Sequence, residues 1–137
     1  MKVSPYLYFE GRCDEALGFY KNVLGAEVIH LMRFKDSPEP CPDGMMPPGY
    51  EGKVMHATFR IGETELMVSD GMCSGKPQFK GISLSLTPQD PTQAAKLFAA
   101  LGEGGQVQMP LTKTFFSPAF GMVADRFGVS WMVVVLP

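Results

Sequence analysis

The fold is decided by a stretch of sequence that occurs twice in the chain. Residues 3–25 are VSPYLYFEGRCDEALGFYKNVLG, and residues 81–102 are GISLSLTPQDPTQAAKLFAALG. Each copy joins a strand of alternating residues to an amphipathic helix that ends in Leu-Gly, and further strands follow it. Two half-size units of this kind cannot each bury a core alone. We therefore expect their sheets to pair around a shared cavity of the kind that holds small molecules.

The remaining strands follow each copy in the same order. Residues 26–35 and the hairpin 54–70 complete the first module, and residues 106–116, broken at Pro110, and the hairpin 120–136 complete the second. The pattern predicts an α+β fold of two βαβββ modules whose curved mixed sheets enclose a cup. We expect a single domain over residues 1–137, with module one at about 1–70, a linker at about 71–78 and module two at about 79–137.

The bulk composition excludes several classes of protein. The net charge is −2, and the 12 Lys and Arg residues form no run, which argues against a nucleic-acid surface. No apolar stretch approaches the roughly 18 residues of a membrane span, and the N-terminal residues lead directly into a strand rather than a signal peptide. Three cysteines without a Cys-x-x-Cys spacing favour a reducing cytoplasm over a disulfide framework or a zinc knuckle.

One long segment lacks any regular pattern. Residues 36–52, from Asp36 to Gly52, contain five prolines and three glycines. Loops of this length within a domain are usually functional lids or disordered segments, and both alternatives stay open here. Met45, Met46 and Tyr50 give this loop apolar side chains with which to cover a ligand.

The alternation of strand residues separates the side chains that face the cup from those that pack under a helix. We expect the helix-facing residues of the first hairpin to be Met55, Ala57, Phe59, Ile61, Leu66 and Val68. We expect the cup to be lined by Ser4, Tyr6, Tyr8, Val54, His56, Thr58, Arg60, Glu65, Met67, Ser69, Gly81, Ser83, Ser85, Ser130, Met132 and Val134. A few polar groups on a largely apolar wall are typical of a selective small-molecule pocket.

His56 and Glu65 are the candidate catalytic residues. An imidazole titrates near neutral pH, and Glu65 lies on the adjacent strand facing the same way. The two side chains either orient one another, act as an acid/base pair or supply two ligands of a displaced metal site. The alternative for His56 is a sheet histidine whose ring is satisfied by a neighbouring hydroxyl.

Other side chains are candidates for ligand binding. Arg60 and Arg126 each precede a hairpin turn and suit a carboxylate, phosphate or phosphonate, although surface ion pairs are the commoner role. Tyr6, Tyr8 and Phe115 suit a planar ligand, and Ser69 adds a hydroxyl to the wall. We expect Trp131 and Phe116 to belong to the core.

Several phrases of the sequence resemble the vicinal oxygen chelate superfamily, which includes glyoxalase I, the bleomycin and fosfomycin resistance proteins and the extradiol dioxygenases. The phrases are ALGFYKNVLGAE at 16–27, DRFGVSWM at 125–132, SPY at 4–6, CPDGM at 41–45, MVSD at 67–70 and SGK at 74–76. Within the superfamily the chain is most similar to the PhnB-like branch. The resemblance implies a glyoxalase/bleomycin-resistance-like fold and a homodimer in which modules from different chains complete each cavity.

The resemblance also locates the positions that hold metal ligands in the metal-dependent members. In this chain those positions fall at or beside Ser4, Met67, Gly81 and Met132. None of these residues offers the imidazole or carboxylate that a divalent cation prefers, so we expect no metal. The branch often carries a ubiquinone methyltransferase label, but the chain lacks a Gly-rich turn that opens a helix after a strand, and we expect no cofactor.

These observations predict a PhnB-like, metal-independent protein that binds a small organic ligand in the cytoplasm as a homodimer. The first alternative is an enzyme of the lyase, isomerase or dioxygenase type that uses His56 and Glu65, with or without a displaced divalent metal. The second alternative is a vestigial, purely structural dimer.

Overall fold

A computed structural model describes residues 1–39, 41–42 and 44–137 of the chain. Two compact units are present, Met1–Pro77 and Gln78–Pro137. Each unit contains one α-helix and one four-stranded sheet.

The elements follow the predicted βαβββ order in both units, which confirms the α+β fold. The first unit contains β1 (Tyr6–Tyr8), α1 (Cys13–Leu24), β2 (Glu27–Arg33), β3 (Val54–Ile61) and β4 (Thr64–Ser69). The second contains β5 (Leu84–Leu86), α2 (Pro91–Leu101), β6 (Gln106–Thr112), β7 (Phe120–Ala124) and β8 (Ser130–Val134). No helix in the described part of the chain is long and apolar enough to cross a membrane.

The two sheets have the same topology. Their strand orders are β1-β4-β3-β2 and β5-β8-β7-β6. The first strand of each module pairs in parallel with the last, β1 with β4 and β5 with β8, and all other pairs are antiparallel. Both sheets are therefore mixed, and β2 and β6 form equivalent edges.

Helix α1 covers one face of the first sheet. Its buried face includes Ala16, Leu17 and Tyr20, and the Tyr20 ring stacks on Phe59 of β3 with a centroid separation of 6.0 Å. Gly25 ends the helix in the left-handed conformation, with φ of 65°, as the Leu-Gly ending predicts.

The buried carboxylate of Asp70 ties the start of α1 to the sheet. One of its oxygens accepts hydrogen bonds from the backbone N–H groups of Gly11 and Cys13, each at 2.9 Å. The other accepts from the N–H of Val54 at 2.7 Å. Helix α2 begins differently, because the exposed side chain of Asp90 caps it by accepting from the N–H of Gln93 at 2.8 Å.

The predicted division of strand faces is confirmed over most of both sheets. Ala57, Phe59, Leu66 and Val68 are buried on the helix side of the first sheet, whereas Tyr6, Tyr8 and Thr58 are not. In β8 the intermediate exposure of Ser130, Met132 and Val134 alternates with buried Trp131 and Val133. Trp131 is a core residue, as expected.

The prediction for the first residues of β3 is wrong. Val54 is fully buried, and Met55 is only partly buried, which reverses the expected assignment. The pairing of β2 with β3 shifts there, since Met32 pairs with His56 and Arg33 with Val54. Met55 is the extra residue of this bulge, and it changes the phase of the alternation.

Two predictions for the second unit are also corrected. β6 continues through Pro110 and ends at Thr112, but its pairing with β7 shifts between Met109 and Thr112, so the predicted break is a change of register in an edge strand. Phe116 is 43% exposed and lies outside the core, in the loop between β6 and β7. Its ring packs edge-on against those of Phe115 and Phe120.

In its described part, the proline-rich segment and the residues just before it contain two short 3-10 helices, Phe34–Asp36 and Tyr50–Gly52. The Phe34 and Tyr50 rings make an edge-to-face contact at 5.5 Å, whereas Met45 is largely exposed. Residues 40 and 43 of the predicted lid, and with them part of the CPDGM phrase, lie outside the described residues.

Candidate functional site

The face of the first sheet that α1 leaves uncovered holds most of the predicted site residues. Strand register places one continuous row across it, from Tyr6 through Met67 and Thr58 to His30. On the neighbouring row, Tyr8 pairs with Ser69 and His56 pairs with Met32. We call this surface the open face of the first sheet.

Four rings form a continuous band over this open face. Tyr8 and Tyr6 have ring centroids 5.1 Å apart, and Tyr6 and His56 are 5.5 Å apart. The His56 and His30 rings follow at 6.3 Å. This ring band, comprising Tyr8, Tyr6, His56 and His30, presents π-systems at the spacing of favourable aromatic contacts.

A hydrogen bond joins the two central rings of the ring band, Tyr6 and His56. The Tyr6 hydroxyl lies 2.8 Å from Nδ1 of His56. Partial burial is the largest cause that raises the pKa of Tyr6 above its ordinary value, and a side-chain hydrogen bond with Ser69 opposes it. The Tyr6 hydroxyl donates to Nδ1 in the His56 tautomer that carries its proton on Nε2. The Oγ1 atom of Thr58 lies 3.5 Å from that nitrogen.

His30 is a residue of this face that the sequence pattern did not indicate. Val28 pairs with Phe59, and His30 pairs with Thr58, so Ile29 is an extra residue in β2. The bulge turns His30 and Met32 onto the open face, where strict alternation from Glu27 would place Ile29 and Leu31. No local sequence pattern marks this bulge, so the sequence offered no signal for His30.

The structure does not bring His56 and Glu65 together. Glu65 pairs with Arg60, four residues along β3 from His56. At about 3.3 Å per residue the two side chains start roughly 13 Å apart. His56 and Glu65 are therefore too far apart to orient one another or to share a proton, although both lie on the expected strand face.

The two arginines predicted to bind a ligand, Arg60 and Arg126, make contacts at the protein surface. Arg60 forms an exposed ion pair with Glu27 at 2.9 Å. Arg126 lies in the β7–β8 turn and donates to the backbone carbonyl of Glu103 at 3.2 Å. Ser69 lies on the open face beside Tyr8, but it is buried and its Oγ accepts from the N–H of Gly71 at 2.9 Å. Phe115 lies off the open face, 100% exposed in the β6–β7 loop.

The donor set at the four positions that the resemblance assigns to metal ligands does not suit a divalent cation. Met67 lies in the middle of the open face, between Tyr6 and Thr58, and Met132 pairs with Ser85 in the second sheet. Gly81 supplies no side chain, and Ser4 supplies a hydroxyl. Within the described ranges, no three His, Cys, Asp or Glu side chains are grouped so as to hold a metal ion. A thioether, a hydroxyl and a hydrogen are poor ligands for such an ion.

Both the sequence and the structure of this chain are similar to known proteins. Protein YjdN of Escherichia coli K12 is 38% identical, over 99% of this chain and 96% of that protein. The crystal structure of PA1353 from Pseudomonas aeruginosa is 41% identical with a TM-score of 0.84, and covers 99% of this chain and 98% of its own. A PhnB protein from Bacillus cereus is 31% identical with a TM-score of 0.80, over 98% and 99% of the two chains.

A more distant likeness concerns the fold alone. The fosfomycin resistance protein FosX from Listeria monocytogenes has a TM-score of 0.67 at 9% identity, over 100% of this chain and 93% of that one. A family model described as 3-demethylubiquinone-9 3-methyltransferase matches residues 1–134. The chain therefore belongs to that family and is PhnB-like, and it shares its fold with FosX.

Proposed function

We propose that this protein binds a small organic ligand without a metal, and that the open face of the first sheet is its binding surface. The observation that carries the proposal is the ring band with the Tyr6–His56 hydrogen bond at its centre. Tyrosine and imidazole rings stack on planar groups, and Met32 and Met67 beside them adapt to irregular apolar shapes.

The hydrogen bond sets the polarity of this surface. When Tyr6 donates to Nδ1 of His56, the ring presents its Nε2–H group toward Thr58 and the open face. A ligand with a hydrogen-bond acceptor next to a planar group satisfies both features of the site. Few polar groups on a mostly apolar surface are typical of small-molecule recognition.

The name of the family does not supply an activity for this chain. A nucleotide-type cofactor prefers a Gly-rich turn and free N–H groups at the start of a helix. Asp70 already accepts from the N–H groups that open α1, and Asp90 accepts from the N–H of Gln93 in the first turn of α2. We therefore propose ligand binding, rather than methyl transfer, as the role of the open face.

We further propose that the protein is a homodimer. The two equivalent edge strands expose apolar residues, Val28 and Ile29 in β2 and Val107 and Met109 in β6. Exposed apolar edges are surfaces that proteins normally cover. Sedimentation equilibrium is expected to give twice the chain mass of 15.0 kDa, and a monomer at micromolar concentration would contradict this proposal.

The cytoplasm is the compartment that we propose for this protein. Its three cysteines are free thiols in the structure, as expected of a protein in a reducing environment. Cell fractionation with compartment markers tests this assignment, and recovery of the protein in an oxidising compartment would contradict it.

Ligand titration tests the binding proposal. A panel of planar aromatic acids, dicarbonyls and small phosphonates is titrated into the protein while amide and ring signals are recorded. We expect shifts at Tyr6, Tyr8, His30 and His56, and His56→Ala should weaken binding about tenfold. Glu63→Ala, in the exposed β3–β4 turn, is the control that should leave affinity unchanged. Shifts confined to other surfaces would refute the assignment.

A metal titration tests the other half of the proposal. Nickel, zinc, manganese and iron(II) are each titrated into the protein, and we expect no stoichiometric binding below about 10 μM. Tight binding of one ion that disappears in His56→Ala would overturn metal independence and favour an enzyme with a displaced metal site.

A further inference from the structure

The second unit has a concavity of its own. Its volume is about 800 Å³, within the range of ligand sites, and it lies over Met122 and Ser130 on the side of the sheet away from buried Trp131. The segment 78–83, which leads into β5, forms one wall. All its lining residues belong to the second unit, so a ligand bound here does not require the open face of the first sheet.

A directed ladder of hydrogen bonds crosses this concavity. The Ser83 hydroxyl donates to Oγ of Ser130 at 3.1 Å, and the Ser130 hydroxyl donates to Oε1 of Gln108 at 2.9 Å. The ladder uses the carbonyl oxygen of the Gln108 amide as its terminal acceptor. The two N–H groups on Nε2 of Gln108 are therefore left to donate to something else.

A β-bulge places Gln108 at the concavity. Val107 pairs with Val123 and Met109 pairs with Met122, so Gln108 is the extra residue on β6. Bulges redirect a side chain relative to strict alternation. The same device occurs at the equivalent edge of the first sheet, where Ile29 is the extra residue and His30 reaches the open face.

Among the described residues that line the concavity, there is positive charge and no negative charge. Lys80 is the only charged side chain among the described residues that line the concavity, and no carboxylate faces it there. Within the described chain, neither the Lys80 ammonium nor the Gln108 amide nitrogen has a hydrogen-bond or ion-pair partner. Gly81 and Gly128, at φ of 84° and 91°, have no side chain to fill the space.

We propose that this concavity is an oxyanion-binding site, which takes the carboxylate or phosphoryl end of a small organic acid. The Lys80 ammonium balances the charge, and Nε2 of Gln108 donates to one oxygen. Hydrogen bonds to ionised groups are stronger than those between neutral groups. Two donors that line one concavity, with no carboxylate among its described lining residues, favour an anion over a neutral ligand.

The test is an NMR titration of the whole protein with acetate, inorganic phosphate and methylphosphonate, each at low ionic strength and constant pH. We expect saturable shifts at Ser83, Ser130 and the Gln108 side-chain amide. Lys80→Met and Gln108→Leu should each weaken binding about tenfold or more. Comparison of the three anions shows whether the planar or the tetrahedral group is preferred.

Matched variants separate this site from general attraction of anions. Lys96→Met removes an exposed lysine of α2, and Gln106→Leu changes an exposed residue two positions from Gln108. Both should retain the affinity of the unchanged protein. The proposal is overturned if Lys80→Met binds as well as the unchanged protein, or if Lys96→Met loses as much affinity. His56→Ala should have no effect here, so failure of the ligand proposal for the first sheet would be distinguishable.

Discussion

The Tyr6 hydroxyl lies 2.8 Å from Nδ1 of His56, although strand β4 separates the strands that carry them. Tyr6 pairs with Met67 of β4, and His56 lies on the row beside it. The Tyr6–His56 hydrogen bond therefore spans strand β4, which carries Met67. It fixes which nitrogen of the imidazole is available to a ligand.

Tyr6→Phe tests that relationship without any ligand. In the unchanged protein we expect neutral His56 to carry its proton on Nε2, because Tyr6 donates to Nδ1. The variant should show a mixture of both tautomers in long-range proton–nitrogen NMR spectra. Its free energy of unfolding should fall by no more than about 1.5 kcal/mol. Tyr8→Phe is the matched control, since no hydrogen bond of the Tyr8 hydroxyl is present in the described structure. An unchanged tautomer in Tyr6→Phe would refute the assignment.

Asp70→Asn is expected to lower the free energy of unfolding by about 3 kcal/mol or more. The buried carboxylate accepts from three backbone N–H groups, and an amide nitrogen in its place would face one or more of those donors. Urea unfolding followed by circular dichroism measures the loss. Asp90→Asn is the comparison, because asparagine caps a helix about as well as aspartate and the change should be under about 0.5 kcal/mol. Equal losses in the two variants would contradict the role of Asp70.

Cys13 should couple stability to alkaline pH. Burial, assisted by the nearby carboxylate of Asp70, raises the pKa of the Cys13 thiol far above its ordinary value. Because the thiol ionises first in the unfolded chain, its contribution is complete at neutral pH and is lost as pH rises past about 8.5.

The expected difference is measurable by urea unfolding. Between pH 7 and pH 10 the unchanged protein should lose about 1–2 kcal/mol more than Cys13→Ala does. Cys41→Ala, which removes a less buried thiol, should behave like the unchanged protein. The same pH dependence in Cys13→Ala and the unchanged protein would show that another group is responsible.

Two glycines should respond in opposite directions to alanine. A Cβ atom at Gly121 would lie 2.8 Å from Cε2 of Phe98 and 2.9 Å from Cα of Leu111, so Gly121→Ala should cost about 1–3 kcal/mol. Gly18 is in the interior of α1 with open space around its Cβ position. Gly18→Ala should therefore raise the free energy of unfolding by about 0.5–1 kcal/mol. Thermal unfolding of both variants checks the signs, and a shift of both in one direction would contradict this packing.

The sequence alone was sufficient for the order of elements, because the signals involved are local. Alternation along a strand, the 3.6-residue period of a helix and the Leu-Gly ending of α1 each depend on residues close together in the chain. The same alternation correctly placed Tyr6, Tyr8 and His56 on the face opposite buried Phe59. The buried position of Trp131 follows from the same rule.

Only the tertiary structure decided which of those side chains meet. The bulges at Ile29, Met55 and Gln108 each insert one residue into a strand pair, and nothing in the local sequence marks them. Register between strands far apart in the chain separates Glu65 from His56 and brings Tyr6 to it. The pleat of a strand determines which face each of its own side chains lies on. Contact between side chains of different strands depends on how the strands pair, and the packing of the whole unit sets that pairing.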